Sequence, residues 1–151
     1  EIDCLGDEFD HILIPNLLHH LNLSSLTNLC RNLTRLLKPG GRVHVFEPYI
    51  REIHQSPDHY YNFTPYGLQD LFSHYNLCKV YTNETGNPFD AAHYCLMQSK
   101  EYLEECDLSK LQILSTSNLT KIKSLGHQSL KNHQRQNSRF PTAFFMTFAS
   151  E

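Results

Sequence analysis

The chain has 151 residues, 40% of them hydrophobic, enough to bury one modest core and too few to divide comfortably between two domains. Thirteen Lys and Arg against sixteen Asp and Glu leave a formal charge of -3. Neither sign runs in a block, which argues against a nucleic-acid or acidic-lipid surface.

No basic stretch leads into an apolar run with a small-residue cleavage site, and no apolar run nears the roughly 20 residues that span a bilayer. Five cysteines (Cys4, Cys30, Cys78, Cys95, Cys106) form no CxxC and suggest neither a disulfide framework nor a zinc site. Five N-x-S/T sequons, at Asn22, Asn32, Asn62, Asn83 and Asn118, carry little weight without a secretory signal. The expectation is a cytoplasmic chain with reduced thiols and no membrane span. Ten histidines lack metal spacing; His19 and His20 are neighbours, and neighbours on a helix cannot face one ion together, so no metal is expected.

In chain order, Phe9 to Ile14 (FDHILI) reads as a strand buried on both faces of a parallel sheet, ending at Pro15. Leu26, Leu29, Cys30, Leu33, Leu36 and Leu37 then recur at three- and four-residue spacing, an apolar helix stripe that Ser24 or Ser25 could cap. Lys38 and Pro39 close this helix, and Gly40-Gly41 turns the chain into a strand from Arg42 to Glu47. Strand, helix and strand make a βαβ unit with parallel strands.

A second helix starts with Thr64 as cap and Pro65 in the first turn, with Leu68, Leu71, Phe72 and Tyr75 facing the core. Leu77 to Thr82 follows as a strand. Asn87, Pro88 and Asp90 open a third helix, with Phe89, Ala92, Leu96 and Leu103 on one face, and a weaker helical pattern covers Leu108 to Leu125. Gly126 to Arg139 is polar and aperiodic, which predicts a loop, and Ala143 to Phe148 a final strand.

The order FDHILIPNLLHHL, amphipathic helix, LLKPGGRVHVFEP resembles the central stretch of class I S-adenosylmethionine-dependent methyltransferases, particularly the type-11 group. HQSPDHYYNFTPYGLQDLF, His54 to Phe72, is similar to a type-11-like segment in which H-x-x-P-D-Y-Y precedes a T-P-x-G-L helix, some of whose bearers act in saccharide pathways.

The resemblance implies an α/β fold: part of a Rossmann-like methyltransferase sheet, mostly parallel, with an antiparallel last strand slotted between the two before it. Residues 1–86 would supply core strands and helices, 87–140 a helical insertion with a mobile loop, and 141–151 the final strand, all in one domain. The implied cofactor is S-adenosyl-L-methionine, and the acceptor a small molecule or saccharide. The glycine-rich turn and ribose-binding acid of that family have no counterpart in the sequence, so the chain is expected to be the C-terminal portion of such an enzyme, inactive by itself.

For the cofactor, the resemblance points to Asp3 near the adenine; Ile14, Pro15 and Asn16 follow at the carboxyl end of a strand, where open α/β sheets bind ligands. Asn16 could equally cap the segment after it. His20 matches the family's leucine-histidine position, as a cofactor contact or a packing residue. Glu47, Tyr49, His54, Asp58, Tyr60 and Tyr61 lie beyond the next strand end. Among them His54, with an ordinary pKa of about 6.5, suits a general base, and Tyr60 is a second catalytic candidate. The bland reading of that loop is that its polar side chains only hold its shape. Thr64 and Pro65 are assigned to capping. A non-catalytic methyltransferase-like binding module is the alternative function; a nicotinamide-dependent oxidoreductase lacks its fingerprint here.

Overall fold

A computed structural model describes residues 9–99, 116–132 and 141–150. The chain forms two compact units, Glu1–Asn83 with Ala143–Glu151, and Glu84–Thr142.

The first unit carries strand β1 (Phe9–Pro15), a 3-10 turn (Leu18–His20), helix α1 (Leu23–Leu36), strand β2 (Leu37–Pro48) and helix α2 (Pro65–Ser73). Strand β3 (Leu77–Thr85) and strand β4 (Ala143–Ser150) complete a four-stranded sheet in the order β1-β2-β4-β3. β1 runs parallel to β2 with Ile12 opposite Val43 and Ile14 opposite Val45. β4 runs antiparallel to β2, with Val43 opposite Phe148 and Glu47 opposite Phe144. The last strand therefore lies between the two before it, as the sequence resemblance implied.

Alternation along β2 turns Val43, Val45 and Glu47 to a buried face and Arg42, His44 and Phe46 to the other. On the buried face the core gathers Ile14, Leu18, Leu26, Cys30, Leu33, Leu37, Leu68, Phe72, Leu77, Phe144, Met146 and Phe148 around the two valines. Phe72 from α2 meets Phe148 from β4 with ring centroids 4.6 Å apart.

Several expectations change. β1 is not buried on both faces: Ile14 is the buried residue, while Phe9 and Leu13 are 40% and 65% exposed. The reason is its place at the end of the strand order, where it pairs with β2 alone among the described strands. The cap of α1 is Asn22, not Ser24 or Ser25, because the helix starts at Leu23; Asn22 Oδ1 accepts from Ser25 N–H at 2.9 Å and from Ser24 Oγ at 2.8 Å. Lys38-Pro39-Gly40-Gly41 is no separate turn. β2 begins at Leu37, and the stretch Leu37 to Arg42 spans only Phe9 to His11 of β1, an irregularity absorbed at Gly40 with φ 76°.

α2 starts as expected, with Thr64 Oγ1 accepting from Gly67 N–H at 3.0 Å and Pro65 in the first turn. It ends at Ser73, so Tyr75 reaches the core from beyond the helix.

The second unit holds helices α3 (Pro88–Ser99) and α4 (Thr116–Asn132), which pack on each other. Asn87 caps α3, its Oδ1 accepting from Phe89 N–H at 2.8 Å and Asp90 N–H at 3.1 Å. Its buried residue is Ala91 rather than Ala92, so the inward face is rotated by one position from the expected one. Leu103 lies outside the described residues, as do 108–115 and 133–139. The loop expected from Gly126 is helical as far as Asn132, because α4 continues through it. No helix among the described residues is long and apolar enough to cross a membrane.

Candidate functional site

Strand alternation forces one charged side chain inward. Glu47, at the carboxyl end of β2, shares the face of Val43 and Val45 and is fully buried. A carboxylate there is costly unless it accepts hydrogen bonds, and the segment after β1 supplies them. Leu17 N–H and Leu18 N–H donate to Oε1 at 2.9 and 2.8 Å, and His19 Nδ1 lies 2.6 Å from Oε2. The first two are amides at the start of the 3-10 turn, which would otherwise lack partners. The turn thus folds around the carboxylate.

The connection from β2 to α2 closes over the same turn. Tyr60 N–H and Tyr61 N–H both donate to the carbonyl of His19, at 2.8 and 3.4 Å. His20 Nδ1 donates to the carbonyl of Asp58, 2.5 Å away. His54 Nδ1 donates to the carbonyl of Glu52 at 3.1 Å and lies 3.2 Å from His59 Nδ1. His59 also accepts from His54 N–H at 3.4 Å and reaches Asn62 Oδ1 through Nε2 at 3.2 Å. Four imidazoles are thereby gathered, with His19 and His20 ring centroids 3.9 Å apart and His20 and His59 the widest pair at 6.0 Å.

The oxygens facing Nδ1 of His19, His20 and His54 are a carboxylate and two carbonyls, none with a hydrogen to give. Nδ1 must therefore carry the hydrogen in all three, and Nε2 is left with its lone pair. Burial holds His19 below the ordinary histidine range despite the pull of Glu47, and nearby His20 and His59 lower it further.

A second histidine pair sits on the sheet's other face. His11 Nδ1 and His44 Nε2 are 2.9 Å apart, and His44 Nδ1 meets Thr147 Oγ1 at 3.1 Å. Its rings continue to Phe145 and Tyr81, so the row crosses all four strands.

Of the residues singled out from the sequence, the fold brings His20 and His54 into one cluster with His19, which Glu47 holds. Tyr60 is 43% exposed; its hydroxyl reaches Asp58 Oδ1 at 3.4 Å, while its backbone ties the loop to His19. Ile14 is 4% exposed and packs in the core. Pro15 and Asn16 are exposed at the carboxyl end of β1, and Asn16 has φ 50° with its N–H donating to Phe46 O at 2.8 Å. Asn16 does not cap the 3-10 turn, whose preceding residue is Leu17. Asp3 lies outside the described residues. Sequence reasoning set His19 aside and passed over His59. The adjacency argument assumed an α-helix, whereas the pair ends a 3-10 turn, and His59 had no periodic element to place it.

No protein-family model matches the chain, and no curated protein does. Solved structures do. The chain is similar to a SAM-dependent methyltransferase from Archaeoglobus fulgidus, at 15% identity and a TM-score of 0.55, covering 99% of this chain and 63% of that one. It is similar to the 1,6-didemethyltoxoflavin-N1-methyltransferase of Burkholderia thailandensis, solved with 1,6-didemethyltoxoflavin and S-adenosylhomocysteine, at 13% identity and a TM-score of 0.55, covering 96% and 45%. A third is the [4+2]-cyclase SpnF, at 15% identity and a TM-score of 0.54, covering 99% and 52%. The chain has the α/β fold of the class I S-adenosylmethionine-dependent methyltransferases, and it spans about half the length of the structures it matches.

Proposed function

We propose that the chain is the acceptor-side portion of an S-adenosylmethionine-dependent methyltransferase acting on a small molecule or saccharide. The observation that carries this reading is the strand order, with an antiparallel last strand inserted between β2 and β3. The carboxyl ends of β1 and β2 support it, because ligands in open α/β sheets bind there and both ends carry polar groups.

The residues present fit part of the cofactor and not all of it. Pro15 and Asn16, exposed where β1 ends, would form one wall, with Ile14 supporting them from the core and Asp3 and His20 as further contacts. The 151 residues contain no glycine-rich turn for the methionine part, and the acid at the end of β2, Glu47, is fully buried and already accepts from Leu17, Leu18 and His19. When bound, the cofactor supplies an activated methyl group, so positioning the acceptor does most of the work. Where the acceptor must lose a proton, His54 is the proposed base: Glu52 O holds its Nδ1–H and leaves Nε2 to accept. Tyr60 is proposed to border the acceptor.

The test is calorimetric titration of the protein at its full natural length with S-adenosylhomocysteine. Micromolar binding that weakens on Asn16→Ala supports the reading; no binding sinks it. A second reading, a methyltransferase-like fold doing something else, is favoured by the similarity to a [4+2]-cyclase. Cofactor binding without methylation of any small-molecule or saccharide acceptor would support that second reading.

A further inference from the structure

We propose that His19, His20 and His54 form a binding site for one divalent transition ion of the zinc class. One ring nitrogen from each lies within 4.8 Å of those of the other two. Ligand nitrogens around a tetrahedral ion with bonds of about 2.0–2.1 Å sit roughly 3.4 Å apart. Ring rotation closes that gap, since His20 at the end of the 3-10 turn and His54 on irregular backbone are both half-buried.

The hydrogen bonds behind the rings are of the kind such a site needs. A metal-bound histidine donates its other N–H to a carboxylate or carbonyl, which fixes the tautomer and aims the lone pair. All three do so here: His19 to Glu47, His20 to Asp58 O and His54 to Glu52 O. His59 braces His54 from outside the triad. Simple packing of aromatic rings would not require three imidazoles to bring a ring nitrogen of each so close together while each Nδ1 faces an acceptor oxygen.

Charge and donor chemistry narrow the occupant. The fully buried Glu47 carboxylate places a negative charge directly behind His19, and a divalent ion offsets it. Three neutral imidazoles suit zinc, cobalt, nickel or copper and not magnesium or calcium, which take oxygen. Three protein ligands also leave a fourth position for water or a ligand oxygen. With the ion bound, His54 acts as a ligand and its Nε2 no longer accepts a proton.

This proposal does not rest on methyl transfer, and its test uses no methyl donor. The full-length protein, stripped with a chelator, is titrated with Co(II) and followed by visible absorption, then challenged with Zn(II). The expected result is one equivalent of Co(II) with the intense bands of four-coordination, displaced by Zn(II). His20→Ala and His54→Ala should each weaken binding at least tenfold, and Glu47→Gln ten- to a hundredfold. The double variant His11→Ala/His44→Ala should bind as the parent does. Because a Glu47 variant can misfold, the two half-exposed histidines decide the matter, with far-ultraviolet circular dichroism confirming their fold. Absence of the bands, binding indifferent to His20→Ala and His54→Ala, or binding lost with His11 and His44 overturns the site and leaves the methyl-transfer proposal standing.

Discussion

Glu47 accepts from three donors inside the fold, so Glu47→Ala strands two backbone amides and a histidine together. Leaving a buried donor unsatisfied costs about 1–3 kcal/mol, and urea denaturation of the variant should show a loss of at least that order. A loss below about 1 kcal/mol would mean that water reaches these donors freely. Cys30 behaves in the opposite manner. It is fully buried on α1, and burial pushes its thiol up to about 11, so almost no thiolate exists at neutral pH. Alkylation at pH 8 followed by mass spectrometry should modify the exposed Cys78 and Cys95 and leave Cys30 intact until the protein is denatured.

At the scale of the element, both helices of the sheet-bearing unit depend on side-chain caps that satisfy amides the helix cannot. Asn22→Ala and Thr64→Ala should each destabilise by about 1 kcal/mol. Thermal melts test this, and Ser24→Ala, which removes a hydroxyl outside the cap itself, should cost less than Asn22→Ala. The start of β2 is more constrained. A Cβ on Gly41 would lie 2.8 Å from Lys38 O and 3.0 Å from Phe9 O, both backbone atoms that cannot swing away. Gly41→Ala should therefore cost about 1–3 kcal/mol by forcing β1 from β2, and hydrogen exchange along β1 should rise in the variant.

For the whole molecule, the histidines set how stability follows pH. Burial lowers His19 and His44 below their ordinary value of 6.5, with His11 and Arg42 adding to the effect at His44. Above 6.5 both are neutral whether the chain is folded or unfolded, and they contribute no slope. As pH falls through 6.5 the unfolded chain binds protons first, so stability declines until the lower folded-state values are passed. Asp10, which its hydrogen bond to Lys38 holds below the usual carboxylate range, acts only at more acid pH. With chelator present, the urea midpoint should be lower at pH 5.5 than at pH 7.5, and His44→Gln should flatten part of the difference. An equal midpoint at both pH values would contradict the assigned directions.

Elements that rest on local periodicity and punctuation were legible in the chain alone: the apolar stripe of α1, the Thr64-Pro65 start of α2, the Asn87-Pro88 start of α3 and the strand from Arg42 to Glu47 that follows Gly40-Gly41. The antiparallel strand between β2 and β3 was expected only from the resemblance to methyltransferases that the motifs around these elements carry. Only the tertiary structure decided where single faces and side chains went. Leu13 reads as core in its apolar run, yet is 65% exposed on the strand at the end of the sheet. Leu37 to Gly41 reads as a turn, yet pairs into β2. The histidine cluster was the least legible part, because its members come from a 3-10 turn and an irregular loop, and such backbone has no period to reveal which side chains meet. Glu47, carried inward by strand alternation, anchors the turn that bears His19 and His20, and backbone bonds from Tyr60 and Tyr61 to His19 O bring the loop with His54 and His59 onto it, across chain separations that sequence spacing does not encode.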